Sequence, residues 1–401
     1  MVTVGAISRS ADAPVLRPTA KVAVFLLGLC ALLNIYSTQP LLAELAAVFQ
    51  VPVDRATWTI TATTLGVAVA APFAGSISDY LGRKRVMLAA IAITAAATVA
   101  CTVAWSFGAL LAFRFVQGML IPFVFAVAVA YIAEEHAGAA AVAANALYVS
   151  GTAFGGFCSR FLSGAMATHY GWRSSFGALA VVLLVVLATT AAWLDPDRRF
   201  RRSGSLLASA RGIGAHVGNG RLIGTCFVGA AILFLQVGSF TYAGLYLQAP
   251  PFGLTTFQIG AVFAVFLVAV VVTPAAGALI TRVGRPCTYG LASAVSLAGL
   301  GLTLIPTTPT VVAGLAASAT GVFCGQSCAT GYAAAAGGAG RSSAVGLYLT
   351  SYYLGGSVGA VAPAPLYRWA GWPACAGLLA AVIVISMVVA VVAWRPDGMH
   401  R

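Results

Sequence analysis

Gly75-Ser-Ile-Ser-Asp79-Tyr-Leu-Gly82-Arg83-Lys84-Arg85 joins two apolar stretches, and its reading decides the fold. An acidic residue, a glycine turn and three consecutive cations occupy a few positions between segments long enough to cross a bilayer. Part of this stretch returns 202 residues later: Pro72, Gly75, Gly82 and Arg83 correspond to Pro274, Gly277, Gly284 and Arg285. Three further pairs repeat at an offset of 200, namely Leu147-Tyr148 with Leu347-Tyr348, Gly155-Gly156 with Gly355-Gly356, and Gly171-Trp172 with Gly371-Trp372. A half-chain period predicts two homologous helical bundles related by an axis along the membrane normal. The second copy has lost charge, with Thr281 at the place of Asp79 and Pro286-Cys287 at the place of Lys84-Arg85.

Composition agrees with a membrane setting. The 401 residues are 60% hydrophobic and only 8% charged, with a mean hydropathy of +0.96. A water-soluble domain carries about 25% charged residues. A span needs about 20 apolar residues, and the pattern predicts twelve: 22–44, 56–78, 86–105, 107–132, 140–165, 174–194, 222–247, 256–280, 288–305, 311–334, 343–366 and 373–394. Hydrocarbon supplies no hydrogen bonds to a backbone, so each must be a helix. The expected organisation is an N-terminal tail (1–21), a six-helix bundle (22–194), a basic linker (195–221), a second six-helix bundle (222–394) and a tail (395–401). The linker, beginning Asp195-Pro-Asp-Arg-Arg-Phe-Arg-Arg202, reads as a solvated charge run anchored to the inner leaflet.

The net charge of +13 reports orientation rather than nucleic acid. Seventeen of the 22 Lys and Arg fall in segments on one side of the predicted topology. Arg55, Arg173 and Arg368 fall on the other, and Arg114 and Arg160 lie within spans. This positive-inside bias places both termini in the cytoplasm. All seven tryptophans fall near predicted span ends, as interfacial residues do. The eight cysteines read as packing, and no metal-ligand spacing accompanies them. Gly337-Gly338 and Gly340-Arg341 lack a following P-loop lysine. No cofactor, metal or enzyme chemistry is expected.

Twelve spans in two repeats with this loop resemble the major facilitator superfamily over essentially the whole chain. Gln39-Pro-Leu-Leu42, Ala133-Glu-Glu135 and Ser351-Tyr-Tyr-Leu-Gly-Gly356 are similar to its drug:proton antiporter type and to the YnfM-like branch. The resemblance implies an all-α carrier that works by alternating access, sufficient as a monomer, moving a small molecule in exchange for protons. Gly75, Asp79, Gly82, Arg83, Lys84 and Arg85 match the family's gating loop, with Tyr80 where a cation is usual. Asp79 is then expected beside the start of span eleven in the outward-open state, where a helix N-terminus favours a carboxylate. Arg83 is expected to pair with Glu134 or Glu135.

Arg114-Phe-Val-Gln117-Gly118 matches the family motif associated with proton coupling. A guanidinium in a bilayer is costly, about 2.5–3.5 kcal/mol, so Arg114 must face a wet cavity or be satisfied by neighbouring helix-end carbonyls. Gly151, Gly155, Gly156 and Gly164 recur along one face of span five and predict close helix contact, as do Gly355 and Gly356. The antiporter signature's proline beside the glycine pair is missing. Arg160, on the same stripe, either pairs with Glu44 or touches substrate. By analogy, spans one, four, seven and ten line the central path, which nominates Asn34, Tyr36, Gln39, Gln236, Ser239, Tyr242, Gln326 and Tyr332 beside Arg114 and Gln117. Each of these alone is more often an interhelical hydrogen bond. Phe123 and Phe125 are core or cavity wall.

None of the nine acidic residues falls at mid-membrane depth, and the four histidines fall in loops or tails. The proton candidates are therefore Glu44, Asp79, Glu134 and Glu135. Arginines without carboxylates predict a positive cavity that prefers neutral or anionic organic compounds. Two rivals remain: an uncoupled or differently coupled sugar or metabolite carrier, and a non-transporting sensor on the same fold.

Overall fold

A computed structural model describes residues 17–136, 138–197, 218–336 and 341–394, and every regular element among them is a helix. The first half comprises α1 (Pro18–Leu33), α2 (Leu42–Phe49), α3 (Val53–Ala56), α4 (Trp58–Leu81), α5 (Arg83–Thr102), α6 (Phe107–Leu120), α7 (Pro122–Glu135), α8 (Gly138–Tyr170) and α9 (Trp172–Trp193). The second comprises α10 (Gly220–Gln248), α11 (Thr256–Val262), α12 (Ala269–Val283), α13 (Arg285–Leu302), α14 (Thr308–Ala336), α15 (Arg341–Val361) and α16 (Ala364–Ala393). Among the described residues, nine helical segments are long and apolar enough to cross a membrane. Most of the linker and both tails lie outside the described residues.

The repeat is written in the backbone. Gly82 precedes α5 with φ +98° and Gly284 precedes α13 with φ +80°, a left-handed region that side chains avoid. Gly171 and Gly371 repeat the device at φ +79° and +67°. The kink at Ala370 and Gly371 separates two helices within α16, which restores the predicted break between the last two spans.

Span one departs from expectation. A continuous helix over 22–44 is predicted, but α1 ends at Leu33, a turn covers 34–38, and a short 3-10 segment spans Gln39–Leu41 before α2. Pro40 lacks an N–H and its ring crowds the preceding turn, which disfavours α-helix at this point. The tighter bonds Gln39 N–H to Tyr36 O and Leu41 N–H to Thr38 O replace it.

Small residues set the helix spacing. A methyl group at Gly155 would meet the Leu29 carbonyl at 2.2 Å, and one at Gly151 the Phe25 carbonyl at 2.1 Å, so α8 lies directly on α1. Gly28 of α1 reciprocates against the Tyr148 carbonyl. Gly164 faces the Thr256 carbonyl of the other half, and Gly355 the Ala230 carbonyl. Gly356 packs on the Leu233 side chain. Gly156 lines a cavity rather than a helix contact. Such close approach takes the place of a hydrophobic driving force within lipid.

One apolar cluster, including Leu27, Met87, Ile91 and Leu179, draws only on residues 20–194. A second is built on α10 with Phe240, Tyr348 and Trp372, and reaches Ile60 and Val67 of the first half. Val181, Leu184 and Val185 on α9 and Val384, Val388 and Val392 on α16 are exposed, a surface suited to hydrocarbon rather than water. The tryptophans divide. Trp58, Trp105, Trp193 and Trp369 are exposed, whereas Trp172, Trp372 and Trp394 are buried inside the bundle. Trp372 donates to Thr303 Oγ1 at 3.0 Å, and Trp394 to Thr225 Oγ1 at 2.9 Å. Cys287 is exposed, unlike the packed cysteines expected.

Candidate functional site

Between the halves lies a cavity of about 630 Å³. Its wall extends from mid-depth toward the end of the bundle that carries residues 75–85, here the loop face, as far as Val129, Ala146, Pro274 and Gly331. Span one contributes Leu32 and Tyr36, α7 Phe125 and Val129, α10 Leu233 and Gln236, and α14 Phe323 and Gln326. Spans five, eight and eleven contribute as much, through Ser150, Gly156 and Arg160, through Phe266 and Pro274, and through Tyr352 and Tyr353. The four-span expectation is therefore too narrow. Phe125 is cavity wall, while Phe123 packs on the first-half core.

Four of the nine nominated substrate contacts reach the cavity: Tyr36, Arg160, Gln236 and Gln326. The other five are used elsewhere. Asn34 is buried, its side-chain oxygen accepting from Thr98 at 3.4 Å. Gln39 bonds Arg160 and Thr241. Ser239 returns its hydroxyl to Leu235 O. Tyr242 donates to Ala360 O at 2.8 Å, and Tyr332 donates to Ala393 O while stacking on Trp394.

Arg160 closes the cavity at mid-depth. Its Nε donates to Gln39 Oε1 at 2.6 Å and its Nη1 to Gly156 O. The guanidinium carbon lies 4.6 Å from the ring centres of Tyr36 and Phe263, and 4.7 Å from that of Phe266. The expected pairing with Glu44 does not form. Glu44 instead accepts the Trp172 N–H at 2.8 Å, capping the exposed amides at the start of α9.

Beyond Arg160, toward the far face, the halves are stitched together. Gln39 Nε2 donates to Thr241 Oγ1 at 3.1 Å, and Gln248 Nε2 to Pro40 O at 3.2 Å. Gly164 and Gly260 bring α8 and α11 into backbone contact. An ion pair, Asp54 Oδ2 to Arg368 Nη1 at 3.3 Å, crosses the surface above. Deeper along α4 and α15, Thr64 and Ser357 share a hydrogen bond of 2.7 Å, and Thr350 donates to Ala68 O.

Arg114 does not line the cavity. Fully buried, it donates to Asn34 O (2.7 Å), Ile35 O (2.8 Å), Ser37 Oγ (3.2 Å), Thr59 O (3.3 Å) and Gln117 Oε1 (2.8 Å). The helix break after Leu33 frees two of those carbonyls, and the guanidinium satisfies them. Gln117 passes the network on to Thr98 at 2.8 Å. Gly118 lets α6 touch the Thr63 carbonyl of α4. Of the two readings of Arg114, this geometry is that of helix-end carbonyl satisfaction.

At the loop face, Arg83 gathers three partners: Glu134 through two bonds, Asp79 at 2.5 Å, and Ser78. The linker is not a free charge run there. Both Asp197 oxygens accept the Lys84 N–H at 3.1 Å, capping α5, and Lys84 Nζ donates to Ala191 O and Leu194 O at the end of α9. Burial pushes the Asp197 carboxyl above the usual range despite those N–H donors. Gly75 has open space beside it, and Gly346 of α15 approaches Pro72. In the second copy, Arg285 has no such carboxylate among the described residues and lies 6.0 Å from the Tyr332 ring. Gly28, Glu44's capping role and Asp197 were missed from sequence. Only Gly28 left a signal, its place on an apolar helix facing the glycine stripe.

The Major Facilitator Superfamily profile matches residues 24–360. An uncharacterized MFS-type transporter, YybF of Bacillus subtilis, is 26% identical over 91% of this chain and 91% of its own length. The inner membrane transport protein YnfM of Escherichia coli is 27% identical over 92% of this chain and 88% of its own. Among solved structures, the human organic anion transporter MFSD10 superposes with a TM-score of 0.71 at 17% identity, covering 93% of this chain and 100% of that one.

Proposed function

This chain belongs to the Major Facilitator Superfamily, a family of membrane transporters and not of enzymes, and from that premise we propose that it exports a small organic compound in exchange for protons. The proposed setting is a bacterial inner membrane, as for YnfM, with both termini cytoplasmic and a monomer as the working unit. The two bundles, 22–194 and 222–394, rock about the shared cavity.

One observation carries the reading. The cavity extends from Arg160 toward the loop face as far as Ala146 and Gly331, and on the other side of Arg160 the halves meet through Gln39–Thr241, Gln248–Pro40 and Asp54–Arg368. With the basic loops in the cytoplasm, this is a carrier open to the inside and sealed outside. Gly75, Asp79, Gly82, Arg83, Lys84, Arg85, Glu134 and Glu135 then form the inner gate. Proton exchange is assigned to Glu44, Asp79, Glu134 and Glu135, with the Arg114, Gln117 and Gly118 network holding the broken first span beside the path.

A second reading has its own observation: no carboxylate among the described residues lines the cavity, which favours an uncoupled or differently coupled metabolite carrier. A sensor needs no cavity of this size. Proteoliposomes holding the purified chain, loaded with a mixed panel of organic compounds, separate these readings. Antiport requires efflux that accelerates when the opposite side is acidified and that returns protons. Flux indifferent to the pH gradient leaves the uncoupled carrier, and no flux for any compound ends the transport reading.

A further inference from the structure

We propose that Arg160 is the anchor for the carboxylate of an aromatic organic acid, bound at the closed end of the cavity; the inference rests on the carrier reading above and names its cargo.

The argument begins with an incomplete charge. Arg160 is 2% exposed, and a buried guanidinium is normally paired with an anion. Two of its nitrogens are used by neutral groups, Gln39 Oε1 and Gly156 O. Nη2 has no hydrogen-bond partner among the described residues, and Arg160 is part of the cavity wall. The rings of Tyr36, Phe263 and Phe266 soften the burial by cation–π attraction. They lie against the guanidinium, and none of them accepts a hydrogen bond from it.

No carboxylate described in this chain is available to complete the pair. Glu44 caps α9, Asp54 holds Arg368, Asp79 and Glu134 hold Arg83, and Asp197 caps α5. Glu135 and Asp195 belong to the loop face. The missing anion must enter from outside, and the cavity is its approach.

Two further groups support a ligand there. Gln236 and Gln326 both line the cavity, and their side-chain amides make no hydrogen bond within the described residues. Each can donate to a second carboxylate oxygen or to a ring substituent. Phe125, Phe323, Tyr352 and Tyr353 give the remaining wall its aromatic character, suited to a planar apolar body. A site that is mostly apolar with a few placed polar groups is the usual form of a small-molecule pocket. A cationic ligand would meet Arg160 with no carboxylate to offset it.

The test is calorimetric titration of the purified full chain with naphthalene-2-carboxylate, naphthalene-2-carboxamide, the corresponding naphthylmethylammonium and nitrate. The acid is expected to bind tighter than the amide by about tenfold or more, the worth of a charge-assisted hydrogen bond. The ammonium and nitrate are expected to bind too weakly to measure. Arg160→Gln should bring acid and amide together, Arg160→Lys should keep most of the preference, and Gln236→Leu should weaken the acid several-fold. Should Arg160→Gln fail to fold, the ranking on the unmodified protein decides. Equal binding of acid and amide, tight ammonium binding, nitrate competing on level terms, undiminished acid binding to Arg160→Gln, or no binding of the acid each overturns the proposal. None of those outcomes touches the carrier reading, which stands or falls on flux.

Discussion

Arg83 holds Glu134 along one edge of its guanidinium, with Nε to Oε2 at 3.2 Å and Nη2 to Oε1 at 2.6 Å. The pair ties the start of α5 to the end of α7, and Asp79 closes on the same nitrogen at 2.5 Å. Two parallel bonds fix direction as well as distance. Because the Glu134 side chain is 36% exposed, the pair should contribute about 1 kcal/mol or less to stability. Its work is geometric. Arg83→Glu and Glu134→Arg are each expected to cut initial flux by roughly tenfold, while the combined exchange restores most of it. Additive losses in the double variant would show that the pairing itself does not matter.

The Asp54–Arg368 pair spans the halves on the far face, with one partner from each. An exposed bridge of this kind is worth about 0.2–1 kcal/mol, up to about a fivefold bias between sealed and open forms. Asp54→Asn should therefore raise the labelling of a cysteine placed at Thr241 by an impermeant reagent on that face by about two- to fivefold. Unchanged labelling would remove the pair from the seal.

Arg114 makes five hydrogen bonds in a dry interior. Lysine keeps the charge but not the fork, and leaves carbonyls of the broken first span unsatisfied. Arg114→Lys is expected to lose about 3 kcal/mol or more of stability, read as a fall in the thermal midpoint of the detergent-solubilised protein. A variant of unaltered midpoint that transports without moving protons would return Arg114 to the coupling role its motif implies.

Asp197 gives a pH signature. Its carboxyl is raised above the usual value, first by burial, so the folded state binds the proton more tightly than the unfolded chain. Stability from this group is present below the ordinary carboxylate pKa of about 4 and is lost as pH rises from there through the elevated one. Asp197→Asn cannot titrate. Relative to that variant, the unmodified protein should lose thermal stability as pH climbs through this window and run parallel above it. Parallel curves throughout would contradict the assignment.

Much of the architecture was legible because its signals are local or periodic. Apolar length, the Gly82 and Gly284 turns and the offset repeats are readable without partners. The break in span one was less so. Pro40 announced it, but an apolar run masks a single proline. The cavity was the hardest to read, because a polar side chain at depth looks the same whether it faces a void or a neighbour. Tyr242 and Tyr332 spend their hydroxyls on helix carbonyls, whereas Gln236 and Gln326 do not, and only the packing of other helices decides which. Arg160 was nominated, but the rings that surround it come partly from span eight, which the family analogy left out.

The paired turns at Gly82 and Gly284 separate scaffold from steering. A reversal built on backbone torsion alone needs no particular side chain around it, so the second copy shed Asp79's counterpart and two cations without losing the bend. A chassis assembled from matching parts can thus carry its electrical controls at one corner only, and tuning that corner leaves the rest of the frame undisturbed.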